Sequence, residues 1–280
     1  MKFRIKDDIP QKELFEYLVK NRKQLIEKKK SMPVNSEPFE LNITEEMEVK
    51  ARKGEIAEDA TSFMVKVVAN TSMYADNDMD VLGIGAGQKS IDERGTKGKN
   101  VIPHLNGHIH TLDALVGDVK DIYYQNLKAG ELGIMTTVPQ IQGLILESEI
   151  IKDYNPKLFN LYKSDKVKQH SIGMQYVKIE LAVNDEEYKE EFAIWQKYYD
   201  NIINKDRIDK SGYFWYVSEF KLLEVSAVLF GSNELTPTLE IGKGKPSADD
   251  TYKDIEPSAK DTQTIDFNYL TQNIFKAHRQ

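Results

Sequence analysis

Lys221-Leu222-Leu223-Glu224-Val225-Ser226-Ala227-Val228-Leu229-Phe230 is an apolar, β-branched run that carries one carboxylate. Such a run predicts a core strand. A buried carboxylate without a partner is costly, so Glu224 must reach solvent at an edge, pair with a cation such as one of the many lysines, or bond an imidazole. Outward from this run, strand-like segments recur at Thr61 to Asn70, Val101 to Leu105, Leu115 to Tyr124, Leu132 to Val138, Gly173 to Leu181 and Tyr213 to Val217. Several short strands with turns between them argue for an α+β protein, a β-barrel or sandwich with helices added.

Two helices stand out beside the strands. From Gln11 to Lys30, Leu14, Phe15, Leu18, Val19, Leu25 and Ile26 recur at helical spacing, and Ser31 to Pro38 breaks the pattern with two prolines. The run Lys28-Lys29-Lys30 reads as a solvated cap that complements the helix dipole, with a patch for phosphate or an acidic partner as the alternative. Between Asp185 and Ile208, Tyr188, Phe192, Trp195, Tyr199 and Ile202 step by three and four along one helix face. That stripe is read as packing onto the core, with partner binding as its rival. Gly242 to Thr264 has almost no large apolar groups and reads as a flexible linker; Phe267, Tyr269, Leu270, Ile274 and Phe275 follow as a tether or cleavable tail. No internal repeat is present.

The chain has 280 residues, 40% hydrophobic and 30% charged, which suffices for a large core and rules out a disordered or collagen-like protein. A formal charge of -7 gives no overall drive toward nucleic acid or anionic lipid. No run of about 18 uncharged apolar residues occurs, so neither a membrane span nor a nucleic-acid partner is expected. Cysteine is absent, which excludes disulfides, thiolate metal sites and a thiol nucleophile. Any nucleophile must carry oxygen or nitrogen.

Three of the five histidines crowd into Pro103-His104-Leu105-Asn106-Gly107-His108-Ile109-His110. In an extended segment His108 and His110 would share a face, as two metal ligands or with one of them as a general base; Asp113 and Asp118 follow without a recognised ligand spacing. Asp76-Asn77-Asp78-Met79-Asp80 has the alternating oxygens of a calcium loop's first half, but Val81 stands where the turn glycine is needed, so a solvated turn is expected. Gly83-Ile84-Gly85-Ala86-Gly87 lacks the Lys-Ser/Thr of a phosphate loop. His170-Ser171-Ile172-Gly173 can present a hydroxyl before a strand, with a glycine that lets a substrate backbone approach. Taken with a histidine and this serine, Glu224 has the role a serine hydrolase needs, fixing the imidazole tautomer and stabilising the imidazolium.

The order of these pieces resembles the caudovirus prohead (capsid maturation) serine protease family, over about Thr61 to Glu240. Val68-Ala69-Asn70 leads to Asp76, Asp80, Gly85 and Ala86; Val101 to His108 precedes Gly117-Asp118-Val119; Ser171-Ile172-Gly173-Met174 follows; Glu224-Val225-Ser226-Ala227-Val228 runs to Asn233. The resemblance implies a herpesvirus-assemblin-like fold, a mainly antiparallel β-barrel surrounded by helices, spanning 61–241 with a helical insertion at 185–208. An N-terminal helical extension, 1–60, and the flexible linker and tail, 242–280, would flank it. It implies a serine endopeptidase without a cofactor, in which Ser171 is the nucleophile, His108 the base and Glu224 its orienting acid. Counting forward along the strand from Pro103 selects His108, and counting back from Gly117 selects His110; His108 is preferred because a strand resists insertions that a loop absorbs. Backbone amides near Ile172 and Gly173 are the expected oxyanion donors. The implied partners are the major capsid protein with its scaffold segments and further copies of the protease, inside the assembling prohead in the host cytoplasm. Two rivals are a non-catalytic capsid-assembly protein on the same scaffold and a metal-dependent hydrolase built on His104, His108 and His110.

Overall fold

The structure, a computed structural model, describes residues 9–31, 33, 49–134, 136, 138 and 140–242. The chain divides into units 1–245 and 246–280, and the linker and tail expected beyond Gly242 lie outside the described residues. The helices are α1 (Gln11–Lys20), α2 (Arg22–Ser31), α3 (Gln88–Arg94), α4 (Pro156–Lys163), α5 (Lys189–Tyr198) and α6 (Lys205–Ser211). The strands are β1 (Arg52–Lys53), β2 (Ser62–Thr71), β3 (Asp80–Leu82), β4 (His104–Asn106), β5 (Leu115–Leu127), β6 (Ile141–Ile151), β7 (Gln169–Val183), β8 (Tyr213–Val228) and β9 (Thr238–Ile241).

Among the described residues all nine strands belong to one sheet, ordered β1-β9-β2-β6-β5-β4-β8-β3, with β7 also paired to β8. The pairs β2/β6, β5/β6, β4/β5, β7/β8 and β2/β9 are antiparallel, whereas β4/β8, β3/β8 and β1/β9 are parallel. The molecule is therefore α+β, with a mixed sheet. Among the described residues, strand pairing does not close it into the expected barrel. The segment after β8 spans from β7 to β2 instead: the amide of His170 donates to Thr236 O at 3.2 Å, and that of Val68 to Pro237 O at 2.9 Å.

The main core gathers Val65, Val67, Leu144, Leu146, Ile172, Val225 and Leu222 from the sheet, together with Phe15, Leu18 and Leu25 from α1 and α2. The single helix expected over 11–30 is divided at Asn21, whose side-chain amide donates to Tyr17 O at 2.8 Å. Its basic end is not a plain solvated cap. Lys29 reaches the buried Asp80 at 2.7 Å and lies over the rings of Tyr176 and Trp215. The turn before β3 is likewise more than solvated: Asp76 Oδ1 accepts from the amides of Asp78 and Asp80.

The 185–208 helix is broken into α5, a 3-10 turn and α6, and its aromatic stripe packs inward, with Trp195 and Ile202 buried against Phe214. Residues 129–132 form a 3-10 turn where the expected strand from Leu132 should begin, and the sheet's central β6 follows at Ile141. Tyr213 to Val217 and Lys221 to Val228 are one strand, β8, which carries partners on both edges and ends two residues before the expected Phe230.

Candidate active site

β7 and β8 run antiparallel with Ser171 opposite Ser226 and Gly173 opposite Glu224. Residues directly opposite in such a pair point to the same face, and so do residues two apart on one strand. The side chains of Ser171, Glu224 and Ser226 therefore share one face of the β7–β8 pair. Ile172 and Val225, the alternate residues, enter the main core on the other. Any larger residue at Gly173 would be obstructed, because a Cβ there would collide with the Glu224 carboxylate. The glycine makes room for the acid, and Ser171 lies within β7 rather than in a turn before it.

A loop brings the imidazole onto this face. β4 pairs parallel to β8, with Leu105 opposite Ser226 and Asn106 opposite Ala227, and then ends. Gly107 and His108 both take left-handed conformations, at φ 62° and 60°. That geometry suits glycine and disfavours histidine. Two bonds hold it: the Gly107 amide donates to Ala227 O at 2.9 Å, and the His108 amide donates to Ser226 Oγ at 3.0 Å. The ring of His108 then places Nδ1 2.6 Å from Glu224 Oε1, the two side chains being 6% and 2% exposed. The second carboxylate oxygen, Oε2, accepts the Ser226 hydroxyl at 2.6 Å. Glu224 meets its partner in an imidazole and not a lysine, and both its oxygens are bonded.

Ser226 is the residue whose role the sequence reading missed. Its hydroxyl proton goes to Glu224, its oxygen accepts the His108 amide, and the residue is fully buried. Those commitments make it a brace between the acid and the histidine loop. Its position two residues after Glu224 in a strand was the available signal, because period two places both on one face.

The three crowded histidines go three ways, so the segment is not the extended strand in which His108 and His110 would align. His108 meets Glu224. His110 is exposed and lines a cavity of about 480 Å³ whose walls include Val101, Pro103, Leu105, Leu115 and Leu223, with Glu224 at its edge. His104 turns into the interior, where its Nε2 lies 3.2 Å from Tyr162 Oη; the same hydroxyl lies 2.9 Å from His170 Nε2. His170 Nδ1 faces Thr236 O at 3.0 Å and must carry the proton, since a carbonyl only accepts. Tyr162 therefore donates to His170 Nε2 and accepts from His104 Nε2–H, which leaves His104 Nδ1 as a lone pair with no partner. Burial pushes His104 down to about 3, with the neighbouring His170 adding to it, and pushes His170 down to about 4. Both rings are neutral at ordinary pH. Among the described residues no group of three or more His, Asp and Glu side chains is arranged to hold a metal ion. Of the His104/His108/His110 set, His104 lies in this buried network and His108 bonds Glu224.

No family model matches the chain, and neither a curated protein nor a solved structure does.

Proposed function

We propose that the chain is a serine endopeptidase of the Ser-His-Glu type, with Ser171 as nucleophile, His108 as general base and Glu224 as the acid that orients it. The observation that carries this reading is the 2.6 Å contact of His108 Nδ1 with the buried Glu224, on the face of β7–β8 that also bears Ser171. With Nδ1–H held by the carboxylate, the ring presents Nε2 as the basic atom. Ser171 Oγ then bonds to the peptide carbonyl carbon, its proton passing to His108 Nε2 while the carbonyl π pair moves onto oxygen. Collapse breaks the C–N bond, His108 returns the proton to the leaving amine, and water cleaves the resulting ester by the same route. Ser226, buried and bonded at both ends of its hydroxyl, is the poorer candidate for the nucleophile. The apolar cavity beside Glu224 offers a wall for a peptide chain.

On the resemblance in sequence order, the substrate is the scaffold segment of a phage major capsid protein, cut inside an assembling prohead in the host cytoplasm, and the protease itself. The test is labelling of the full chain by a fluorophosphonate, with peptide mapping, together with cleavage of capsid-scaffold protein by wild type and by Ser171→Ala. Adduct on Ser171 and loss of cleavage in Ser171→Ala are expected; cleavage that persists undiminished in Ser171→Ala overturns the assignment. Activity kept in His108→Ala and lost in His110→Ala would move the base to His110. Chelator-sensitive hydrolysis with stoichiometric zinc, or co-assembly with capsid protein and no proteolysis, would favour the two rivals in turn.

A further inference from the structure

A second cavity, of about 30 Å³, is lined by Ser171 and its neighbour Ile172 on β7, by Met174, and by the polar residues Asn70, Asp76, Ser232 and Asn233. A space of that size admits an oxygen atom or a water and little else. The polar groups around it differ in how they are committed. Asn233 donates its amide to Thr71 O and accepts from the Leu235 amide, both at 3.0 Å. Ser232 lies within bonding reach of Asp78 Oδ2, at 3.4 Å. Asp76 Oδ1 accepts two backbone amides. Among the described residues the Asn70 side chain alone of these has no hydrogen-bond partner, although it is half-buried.

The backbone turns Asn70 toward this place. In β2, Val68 pairs with Ile145 and Asn70 with Leu144, so Ala69 is an extra residue, a β-bulge. Ile145 and Leu144 are neighbours on β6 and point to opposite faces, so the bulge moves Asn70 from the face of Val68 to that of Leu144, a member of the main core. Bulges re-aim side chains in this way beside active sites. An idle amide at a bulge, lining an oxygen-sized space that the candidate nucleophile also lines, stands where a charge-stabilising donor is needed.

We infer that Asn70 is a further catalytic residue, its side-chain N–H donating to the carbonyl oxygen that becomes an oxyanion as Ser171 adds, with the small cavity as the oxyanion hole. This rests on the reading of Ser171 as nucleophile. The bond formed is Ser171 Oγ to carbon, the proton goes to His108, and Asn70 gives a hydrogen bond without losing its proton. The opposition of Asp76 to an anion is lessened by its surroundings. Its carboxyl is pushed up to about 8 by burial, then by Asp80 and Asp78, against the backbone hydrogen bond from Asp80 and the charge of Lys29.

The test is the second-order rate of fluorophosphonate labelling at Ser171, with p-nitrophenyl acetate hydrolysis alongside, in full-length wild type, Asn70→Ala, Asn70→Asp and Ser171→Ala. The low-field proton resonance of His108 Nδ1 reports on the histidine–glutamate pair independently of catalysis. Asn70→Ala is expected to lower the labelling rate and kcat by about 10²–10³-fold with KM little changed and the resonance retained. Labelling at the wild-type rate in Asn70→Ala overturns the role of Asn70 and leaves the serine-enzyme reading standing. Wild type that takes no label at Ser171 and hydrolyses ester no faster than Ser171→Ala overturns that reading and this inference with it. If Asn70→Ala loses the resonance, Asn70→Asp, of the same size, decides by the same rates.

Discussion

The two faces of the β7–β8 ribbon carry similar side chains and do opposite things. His170 and Ser171 are chain neighbours on β7, and His104 and His108 bracket the end of β4. On the inner side, His104, Tyr162 and His170 form a closed, neutral chain of hydrogen bonds, with every ring nitrogen but one engaged. On the other, His108 meets a carboxylate, and a cavity lies beside Glu224. An imidazole is not reactive by being buried. Its neighbour decides: a tyrosine hydroxyl offers no charge to balance a proton, so burial keeps the inner rings neutral, whereas a carboxylate can stabilise the imidazolium.

That contrast breaks first at Ser171. Ser171→Ala is expected to lower kcat on the order of 10⁶-fold while leaving the thermal transition near that of wild type, measured by scaffold cleavage and calorimetry. Glu224→Gln should lower kcat about 10⁴-fold and remove the low-field His108 proton from the NMR spectrum, because an amide holds the wrong tautomer. Ser226→Ala frees both the second carboxylate oxygen and the His108 amide, and is expected to cost about 1–3 kcal/mol in urea unfolding and 10–100-fold in kcat. If it affects stability alone, the brace does not serve the site.

Tyr162→Phe probes the inner face. It strands His170 Nε2 and the His104 N–H in the core, so unfolding free energy should fall by about 1–3 kcal/mol with kcat within a few-fold of wild type. A loss of activity as large as that of Ser226→Ala would mean that the two faces are coupled. The same face carries an expected effect of pH. Both inner rings titrate lower folded than unfolded, so above about pH 6.5 neither state takes up a proton and stability is full. As pH falls from there toward 4, the unfolded chain binds protons that the folded chain refuses, and each imidazole costs about 1.4 kcal/mol per pH unit. Urea midpoints at pH 7.5, 6 and 5 should therefore decline, and the His104→Leu, His170→Leu double variant should decline less steeply.

Much of the sheet is legible in the sequence because β-branched runs bounded by turn residues leave few alternatives, as at Ser62–Thr71, Leu115–Leu127 and Gln169–Val183. The strand Ile141–Ile151 was legible by the same rule, its run Leu144-Ile145-Leu146 being as apolar as any, and was nonetheless missed. The break of the 185–208 helix was less so, since the aromatic stripe continues through it and only the packing of Ile202 beside Met73 and Phe214 shows that the chain has turned. At the candidate site, Glu224 announces itself as a carboxylate in an apolar strand. Tyr162 carries no such mark, because a tyrosine in an amphipathic helix has no reason of its own to lie between two histidines.

The sequence by itself determined the residue types available for chemistry, an oxygen nucleophile in the absence of any thiol, and the alternation that sets Glu224 and Ser226 on one side of a strand. Those are local facts, fixed by composition and by the two-residue repeat of an extended chain. Only the tertiary structure decided which of three crowded histidines meets the acid. The choice depends on where β4 stops, on two left-handed residues held by β8, and on a pairing between strands more than 100 residues apart, and no local pattern encodes contacts of that range.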